Sequence, residues 1–127
     1  MINALFSQPS YVASKVSLDT TALRAEAISS NIANLEKPGY KRIDVAPTFQ
    51  AELNRAISSH DISKMAGLQP QLAVDSTAIA GNRDGNTVQL ETELLNLSQN
   101  TMAHTLETQL VSGTLGKLRS AITARSA

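Results

Sequence analysis

The chain lacks cysteine and tryptophan, and only 3% of its 127 residues are aromatic. The absence of cysteine excludes disulfides, thiolate metal sites and cysteine nucleophiles. Few large side chains remain to fill a core, whereas a compact enzyme of this length usually has more of them. The composition therefore disfavours an enzyme, and the length predicts one domain, residues 1–127, with a modest core.

The chain also lacks a net charge, because 11 basic residues balance 11 acidic ones. Neither half is basic, so nucleic-acid binding has no electrostatic support. No apolar stretch approaches membrane-spanning length, and the start, MINALFSQPSYVASKV, lacks the basic and apolar regions of a secretory signal. By these ordinary rules we expect a soluble cytoplasmic protein, unless a signal-independent export route operates.

The two histidines do not indicate a reactive site. Neither His60 nor His104 has a second histidine or paired carboxylates at metal-ligand spacing, and no nucleophile-elbow string is present. His104 lies near the helix face that carries Leu97 and Val111, which favours a packed or interfacial role. We therefore predict no catalytic residue, no cofactor and no metal site.

The first long helix is predicted from about residue 9 to residue 35. Pro9 suits the first turn of a helix, where its missing N–H costs nothing. No glycine or proline interrupts residues 11–34, and apolar residues recur at helical spacing in a thin stripe rich in alanine and serine. Lys37 precedes Pro38 and is therefore disfavoured in a helix, while Gly39 is free to take a positive φ. The helix should end in a sharp turn.

The middle segment, about residues 36–86, is predicted to hold one short helix and an irregular loop. Pro47 would start a helix at about 47–58, with Phe49, Leu53 and Ile57 on one face. The pattern dissolves over residues 59–85, although short strands at 71–74 or 77–80 are possible. A loop this long inside a compact domain is more often functional or disordered.

The second long helix is predicted from about residue 87 to residue 124. Asn86 can cap its start, and Gln89 three residues later resembles a capping box. A wide apolar surface runs along the helix at helical spacing. Its main stripe consists of Leu95, Met102, Leu106, Leu110, Leu118 and Ile122.

Together these elements predict an all-α fold whose two long helices pack as an antiparallel hairpin or coiled coil. The C-terminal helix, about 55 Å long, would overhang an N-terminal helix of about 40 Å. The helices have more apolar surface than one contact needs, and an exposed apolar strip is costly in a soluble monomer. The main stripe is therefore predicted to be an interface with other copies or other proteins.

The stretch ALRAEAISSNIANLEKPGYKR, residues 22–42, resembles the N-terminal signature of bacterial flagellar rod and hook proteins, which typically reads ANIANADTPGYKA. The two differ at residues 35–37, where LEK replaces the usual Ala, Asp or Asn, and Thr. By this resemblance, the assembly motif comprises Asn31, Ile32, Ala33, Asn34, Pro38, Gly39 and Tyr40.

A second block, DGNTVQLETELLNLSQN at 84–100 followed by GTLGKLRSAI at 113–122, is similar to the proximal-rod members of this family. His104 stands where that pattern often has tyrosine. The resemblance implies a structural subunit that self-assembles helically with other rod proteins and transmits torque from the motor to the hook and filament. It also implies a periplasmic rod location and export by the flagellar type III apparatus without a cleaved signal.

The residues alone leave a second hypothesis open. A small helical adaptor or export chaperone would bind a partner helix in the groove between its two long helices. Both hypotheses predict long amphipathic helices, but an adaptor has no need of the Pro-Gly-Tyr turn. A rod subunit should polymerise, whereas an adaptor should form a defined small complex.

Overall fold

The computed structural model describes residues 2–81 and 83–125, most of which are helical. The N-terminal part forms α1 (Ile2–Phe6) and α2 (Pro9–Ala33). The middle part forms β1 (Ile43–Val45), α3 (Pro47–Ser58), α4 (Ile62–Gly67) and β2 (Leu72–Val74), and α5 (Leu90–Arg125) follows. The two long helices and the helix at 47–58 are confirmed, whereas α1 and α4 were not predicted. Within the described ranges, no helix combines the length and the apolar character needed to cross a membrane.

The end of α2 is followed by a turn that favours glycine. The helix begins at Pro9, as predicted, and stops at Ala33, where the Asn34 N–H bonds to the carbonyls of Ser30 and Asn31. Gly39 then has a φ of +72°, a left-handed conformation that side chains with a Cβ rarely adopt. The predicted positive φ is confirmed.

The apolar core lies between α2 and the middle segment. One cluster packs Val16 against Val45, Phe49 and Leu53. A second cluster packs Val12, Ala56 and Met65. The prediction that Ile57 shares the buried face of α3 is wrong, because Ile57 is 41% exposed. The buried face follows steps of four and three residues, and it therefore passes through Ala56 instead.

The all-α prediction is wrong in one respect, since β1 and β2 form a two-stranded antiparallel sheet. Ile43 lies opposite Val74, Asp44 opposite Ala73, and Val45 opposite Leu72. β2 falls within the strand considered at 71–74, whereas residues 77–80 form none. β1 was not predicted, because a strand of three residues is too short to show the alternation of apolar and polar residues that indicates a strand.

α5 runs antiparallel to α2. Asn31, near the end of α2, bonds to Glu93 near the start of α5, and Thr21 bonds to Asn100 and His104 further along. The 36 residues of α5 span about 54 Å and the 25 of α2 about 38 Å. This pairing sets Pro9 opposite about residue 115 of α5, so the last turns of α5 extend past the start of α2.

The side of α5 that contacts α2 is not the predicted main stripe. Leu95 and Met102 each follow a contacting residue, Glu93 or Asn100, by two positions, which turns them by about 200° around the helix. Most members of the stripe are therefore exposed, while Leu118 is half-buried, and the role of the stripe as an interface with other copies or proteins stays a prediction. The exposed members are Leu95 (58%), Met102 (71%), Leu106 (56%), Leu110 (50%) and Ile122 (51%).

Candidate functional site

Polar side chains, most of them buried, gather where the assembly motif meets the start of α5. We call this group the polar junction, and its members are Asn31, Tyr40, Arg42, Asn86 and Glu93. Asn31 and Glu93 are each 0% exposed. Because a buried polar group is costly without a hydrogen bond, each of these side chains needs a partner inside the fold.

Asn31 links α2 to both β1 and α5. Its amide nitrogen donates to the Ile43 carbonyl at 2.8 Å and to Glu93 Oε2 at 3.2 Å. Its amide oxygen accepts the Ile43 N–H at 3.0 Å and the Tyr40 hydroxyl at 3.4 Å. The side chain therefore bonds to both backbone groups of Ile43, as a neighbouring strand would. Only a carboxamide supplies two donors and an acceptor in this arrangement.

Asn86 closes the end of α2 rather than capping α5. Its amide nitrogen lies 2.9, 2.9 and 2.8 Å from the carbonyl oxygens of Asn34, Leu35 and Lys37. Asn34 is the residue that follows α2, and Leu35 and Lys37 belong to the turn after it, so Asn86 fixes the path of the chain as it leaves the helix. The predicted capping role is wrong because α5 begins later, at Leu90. The Gln89 carbonyl accepts the Glu93 N–H there.

The Pro-Gly-Tyr turn docks onto the segment that precedes α5. The Gly39 N–H donates to the Asp84 carbonyl at 2.9 Å, and the Thr87 N–H donates to the Tyr40 carbonyl at 3.0 Å. The Thr87 hydroxyl accepts the Arg42 N–H at 2.8 Å. A Cβ added at Gly39 would meet nothing within 4 Å, so glycine is required there for its conformation rather than for space.

The other members of the assembly motif surround this turn. Ile32 and Asn34 are half-buried, whereas Ala33 and Pro38 are exposed. The Asn34 amide donates back to the Ser30 carbonyl at 2.8 Å. The motif therefore contains one part that works inside the subunit, centred on Asn31 and Tyr40, and one part that faces outward.

Arg42 is the centre of an ion-pair network. Its guanidinium donates to Glu93 Oε1 at 2.5 Å, to Asp75 Oδ2 at 2.7 Å and to Asp44 Oδ2 at 3.0 Å. Arg24 adds a second cation, 3.1 Å from Asp44 Oδ1. Burial alone would lower the pKa of Arg42. The hydrogen bonds and charges of Glu93 and Asp44 outweigh burial, so the pKa of Arg42 is raised above its ordinary value. Arg42 therefore stays charged and joins α5, β1 and the end of β2.

Asp75 is held ionised by its neighbours. The Thr77 hydroxyl, 2.6 Å from Asp75 Oδ1, is the largest cause of a lowered pKa for Asp75, against the opposing effect of burial. The Thr77 N–H and Arg42 lower the pKa of Asp75 further. Residues 2–81 and 83–125 contain no group of three His, Cys, Asp or Glu side chains placed to hold a metal ion. The network pairs its own charges, an arrangement that fixes four segments relative to one another.

The sequence had indicated Asn31, Gly39 and Tyr40, but not the charged partners. Arg42, Asp44, Asp75 and Glu93 lie far apart in the chain, and no motif links them. One signal was available for α5. Glu93, Asn100 and Glu107 recur every seven residues and so share one face of the helix. That polar seam, rather than the apolar stripe, faces α2.

Further along this seam the contacts become sparser. The Asn100 amide donates to the Thr21 carbonyl at 2.8 Å, and the Thr21 hydroxyl lies 2.9 Å from His104 Nδ1. Asn100 Oδ1 and Glu107 Oε2 are buried without a hydrogen-bond partner. His104 bonds to α2 through its ring nitrogen Nδ1 but remains exposed, so it is not the packed residue that the sequence predicted, and an interfacial role stays a prediction. The well-paired end of the hairpin is the polar junction.

Comparison with known proteins supports the resemblance carried by the motif. No family model matches the chain. The flagellar basal body rod protein FlgB of Borrelia hermsii is 34% identical, over 73% of this chain and 80% of that protein. FlgB of Borreliella burgdorferi is 29% identical over the same shares of the two chains.

The helical hairpin, its closing motif and these relatives together define a rod protein of the bacterial flagellum. Within that class, the chain belongs to the FlgB family of flagellar basal body rod proteins. The predicted family is confirmed, and the chain is a structural subunit of the rod. This family membership takes the place of the adaptor or export chaperone hypothesis.

Proposed function

We propose that the chain self-assembles, with further copies and with other rod proteins, into the proximal rod that transmits torque from motor to hook and filament. The observation that carries this proposal is the 34% identity to a FlgB protein over 80% of that protein's length. In the same proposal, the flagellar type III apparatus exports the chain without cleaving a signal, and the rod that it builds crosses the periplasm. This role requires no catalytic group and no cofactor.

The exposed main stripe of α5 supports a role in assembly. Met102 is 71% exposed and Leu106 is 56% exposed, and both lie on the side of α5 that points away from α2. A contiguous apolar strip in water is unfavourable, so such strips mark contacts with other proteins. We assign Leu95, Met102, Leu106, Leu110, Leu118 and Ile122 to this interface.

The polar junction determines which way the main stripe faces. Hydrogen bonds from Asn31 to Glu93 and from Asn100 to Thr21 hold the polar seam of α5 against α2. Since Leu95, Met102 and Leu106 lie about 180–220° around the helix from Glu93, this part of the main stripe must face outward. The polar junction therefore orients the main stripe.

The direct test is to locate the chain in isolated basal bodies. Basal bodies from the source bacterium should contain the chain at the membrane-proximal end of the rod, visible by electron microscopy with a bound antibody. A strain that lacks the gene should form no rod beyond that point. Finding the chain only in a small soluble complex with one partner would contradict the proposal and would favour an adaptor.

A second test uses substitutions on opposite sides of the stripe boundary. Leu106→Asp should abolish rod assembly and motility, because a carboxylate would be buried in the interface without a partner. Leu118→Asp should do the same. The matched control is Ser112→Asp, at an exposed polar position of the same helix that lies about 120° around the helix from Leu106. Secretion of all three variants should persist, because a type III substrate is threaded unfolded. A motile Leu106→Asp strain would contradict the interface assignment.

A further inference from the structure

The outer edge of β2 carries backbone groups that point away from β1. The Asp75 N–H donates to the Arg42 carbonyl at 2.8 Å, so these two residues form a hydrogen-bonded pair beside the strands. Bonded and non-bonded pairs alternate along an antiparallel ladder, which places Val74 and Leu72 at non-bonded positions. The N–H and C=O groups of Leu72 and Val74 therefore face outward. No hydrogen bond joins these groups to a residue in the ranges 2–81 and 83–125.

The outer edge of β1, in contrast, is closed by side chains. The Asn31 amide accepts the Ile43 N–H at 3.0 Å and donates to the Ile43 carbonyl at 2.8 Å. The Val45 N–H donates to Asp44 Oδ1 at 2.7 Å. Within the described part of the chain, the sheet thus has one closed edge and one edge that can pair with a further strand. We call the outward groups of β2 the open edge.

An apolar groove lies beside the open edge. Val74 is 58% exposed and lines this groove together with Val45, Pro47 and Ala51. Side chains that lie opposite each other on paired strands point to the same face of a sheet. A residue added opposite Val74 would therefore lie over the groove, and an apolar side chain is favoured there because it would remove this apolar surface from water.

We propose that the open edge binds an extended segment of a different rod protein, which adds a third strand to the sheet. This inference rests on the proposed function, because it names the kind of partner that the rod subunit binds. An extended backbone offers donors and acceptors at the spacing of a strand, and pockets for alternate side chains give such contacts their specificity. Since β2 has three residues, about 10 Å, the bound segment is short and places one apolar residue opposite Val74.

A second copy of this chain does not suit the open edge. Of the two strands in the described structure, β2 alone has an edge free for pairing, because Asn31 closes the edge of β1. Two copies could therefore join their sheets only through β2 of each. Such a contact uses the same patch on both copies and closes at two. The proposed rod continues beyond two subunits, so we assign the open edge to another protein.

Proline at position 74 tests the role of the backbone. Val74→Pro removes an N–H that faces outward, and edge strands tolerate proline at such positions. The circular dichroism spectrum and the melting temperature should therefore stay close to those of the natural chain. The matched control Val74→Ala loses the same side chain but keeps the N–H. Ala73→Pro removes an N–H that faces β1 and should lower the melting temperature.

Photo-cross-linking in isolated basal bodies measures the contact itself. A benzophenone amino acid replaces Ser76, which is exposed and lines the groove. On illumination it should join the chain to one other rod protein, within a short segment that mass spectrometry identifies. Adding Val74→Pro should lower the yield by about tenfold, because hydrogen bonds to the partner are lost. Adding Val74→Ala should lower the yield less, although alanine covers less apolar surface than proline.

A control position and the natural chain provide independent checks. The same benzophenone amino acid in place of Ser58, exposed at the end of α3, should not form this product. In the natural free subunit, the amides of Leu72 and Val74 should exchange with solvent faster than the amide of Ala73, which faces β1. In basal bodies their exchange should be about tenfold slower. If Val74→Pro does not fold, this exchange measurement decides.

The outcomes distinguish this inference from the proposed function. Basal bodies that contain the Ser76 variant but give no cross-link to another protein would overturn the added strand and leave the rod function intact. A cross-link between Ser76 of one copy and β2 of another, or equal yields from folded Val74→Pro and Val74→Ala chains, would also overturn it. So would unchanged exchange of the Leu72 and Val74 amides. Absence of the chain from basal bodies would instead overturn the proposed function itself.

Discussion

The two sides of α2 are held by different physical forces. The side that faces the middle segment buries Val12 and Val16 in the apolar core, where burial is stabilising at about 25 cal/mol per Å² of apolar surface and has no preferred direction. The side that faces α5 buries Thr21 and Asn31 against Glu93, Asn100 and His104 through hydrogen bonds that depend on distance and angle.

The difference assigns separate tasks to the two sides. Apolar burial has no preferred direction, whereas the amide of Asn31 reaches both Ile43 and Glu93 in only one register. The apolar core therefore stabilises the subunit, and the polar junction decides which side of α5 faces outward. For a subunit that must present the same stripe in every copy, this orientation matters as much as stability.

Removing Arg42 should give the largest loss. Arg42→Met would leave Glu93, which is 0% exposed, without its cation, and should lower the free energy of unfolding by about 4 kcal/mol, the usual cost of breaking a buried ion pair. Urea unfolding followed by circular dichroism measures this change. Arg42→Met/Glu93→Leu should recover much of the loss, since no unpaired carboxylate remains buried. A double variant no more stable than the single one would show that Glu93 is not the source of the cost.

Truncating the apolar core should cost somewhat less. Leu53 is 3% exposed, and Leu53→Ala should lower the free energy of unfolding by about 3 kcal/mol through lost burial and a residual cavity. The same unfolding assay applies, with Ile57→Ala on the exposed side of α3 as the matched control. A cost below that of Ile57→Ala would contradict the assignment of the core.

Changing the turn should have an intermediate effect. Gly39→Val places a β-branched residue at a φ of +72° and should cost about 1–2 kcal/mol of conformational strain. Gly39→Asn should cost less, because asparagine tolerates this region better than most residues. Since a Cβ at this position meets no neighbour, the ranking Gly, Asn, Val should follow backbone preference alone. Equal stability of the Val and Asn variants would contradict that explanation.

Acid should produce the smallest effect. The pKa of Asp75 is lowered from 3.8 in the folded chain, chiefly by the Thr77 hydroxyl. The unfolded chain therefore binds the proton first, so this contribution to stability is present above pH 3.8 and is lost as pH falls through the lower folded pKa. Below pH 3.8, the free energy of unfolding should change less steeply with pH in Asp75→Asn than in the natural chain. Thr77→Val should lie between the two. Identical slopes in the three proteins would contradict this role of Asp75.

Local signals in the sequence predicted the helices but not the contacts between them. Pro9 and Pro47 mark helix starts because their missing N–H is harmless there, and Gly39 marks the turn through its freedom in φ. The Arg42 network was not predictable in the same way, because it joins residues from four segments and each partner alone resembles an ordinary surface charge. The apolar stripe on α5 was recognised correctly, but periodicity cannot say whether a stripe faces its own chain or another one.

The docking of Gly39 onto Asp84 has a consequence for how the chain can change over evolution. The backbone leaves the hairpin near Tyr40 and returns to the same place at Thr87, so both ends of the intervening segment are anchored side by side. Lengthening a loop whose ends are already fixed costs little, about 0.6 kcal/mol for each doubling of length. An insertion next to Ala80, where the chain is exposed, would therefore leave the two long helices in place. The two long helices can therefore keep their arrangement while the segment between them varies in length.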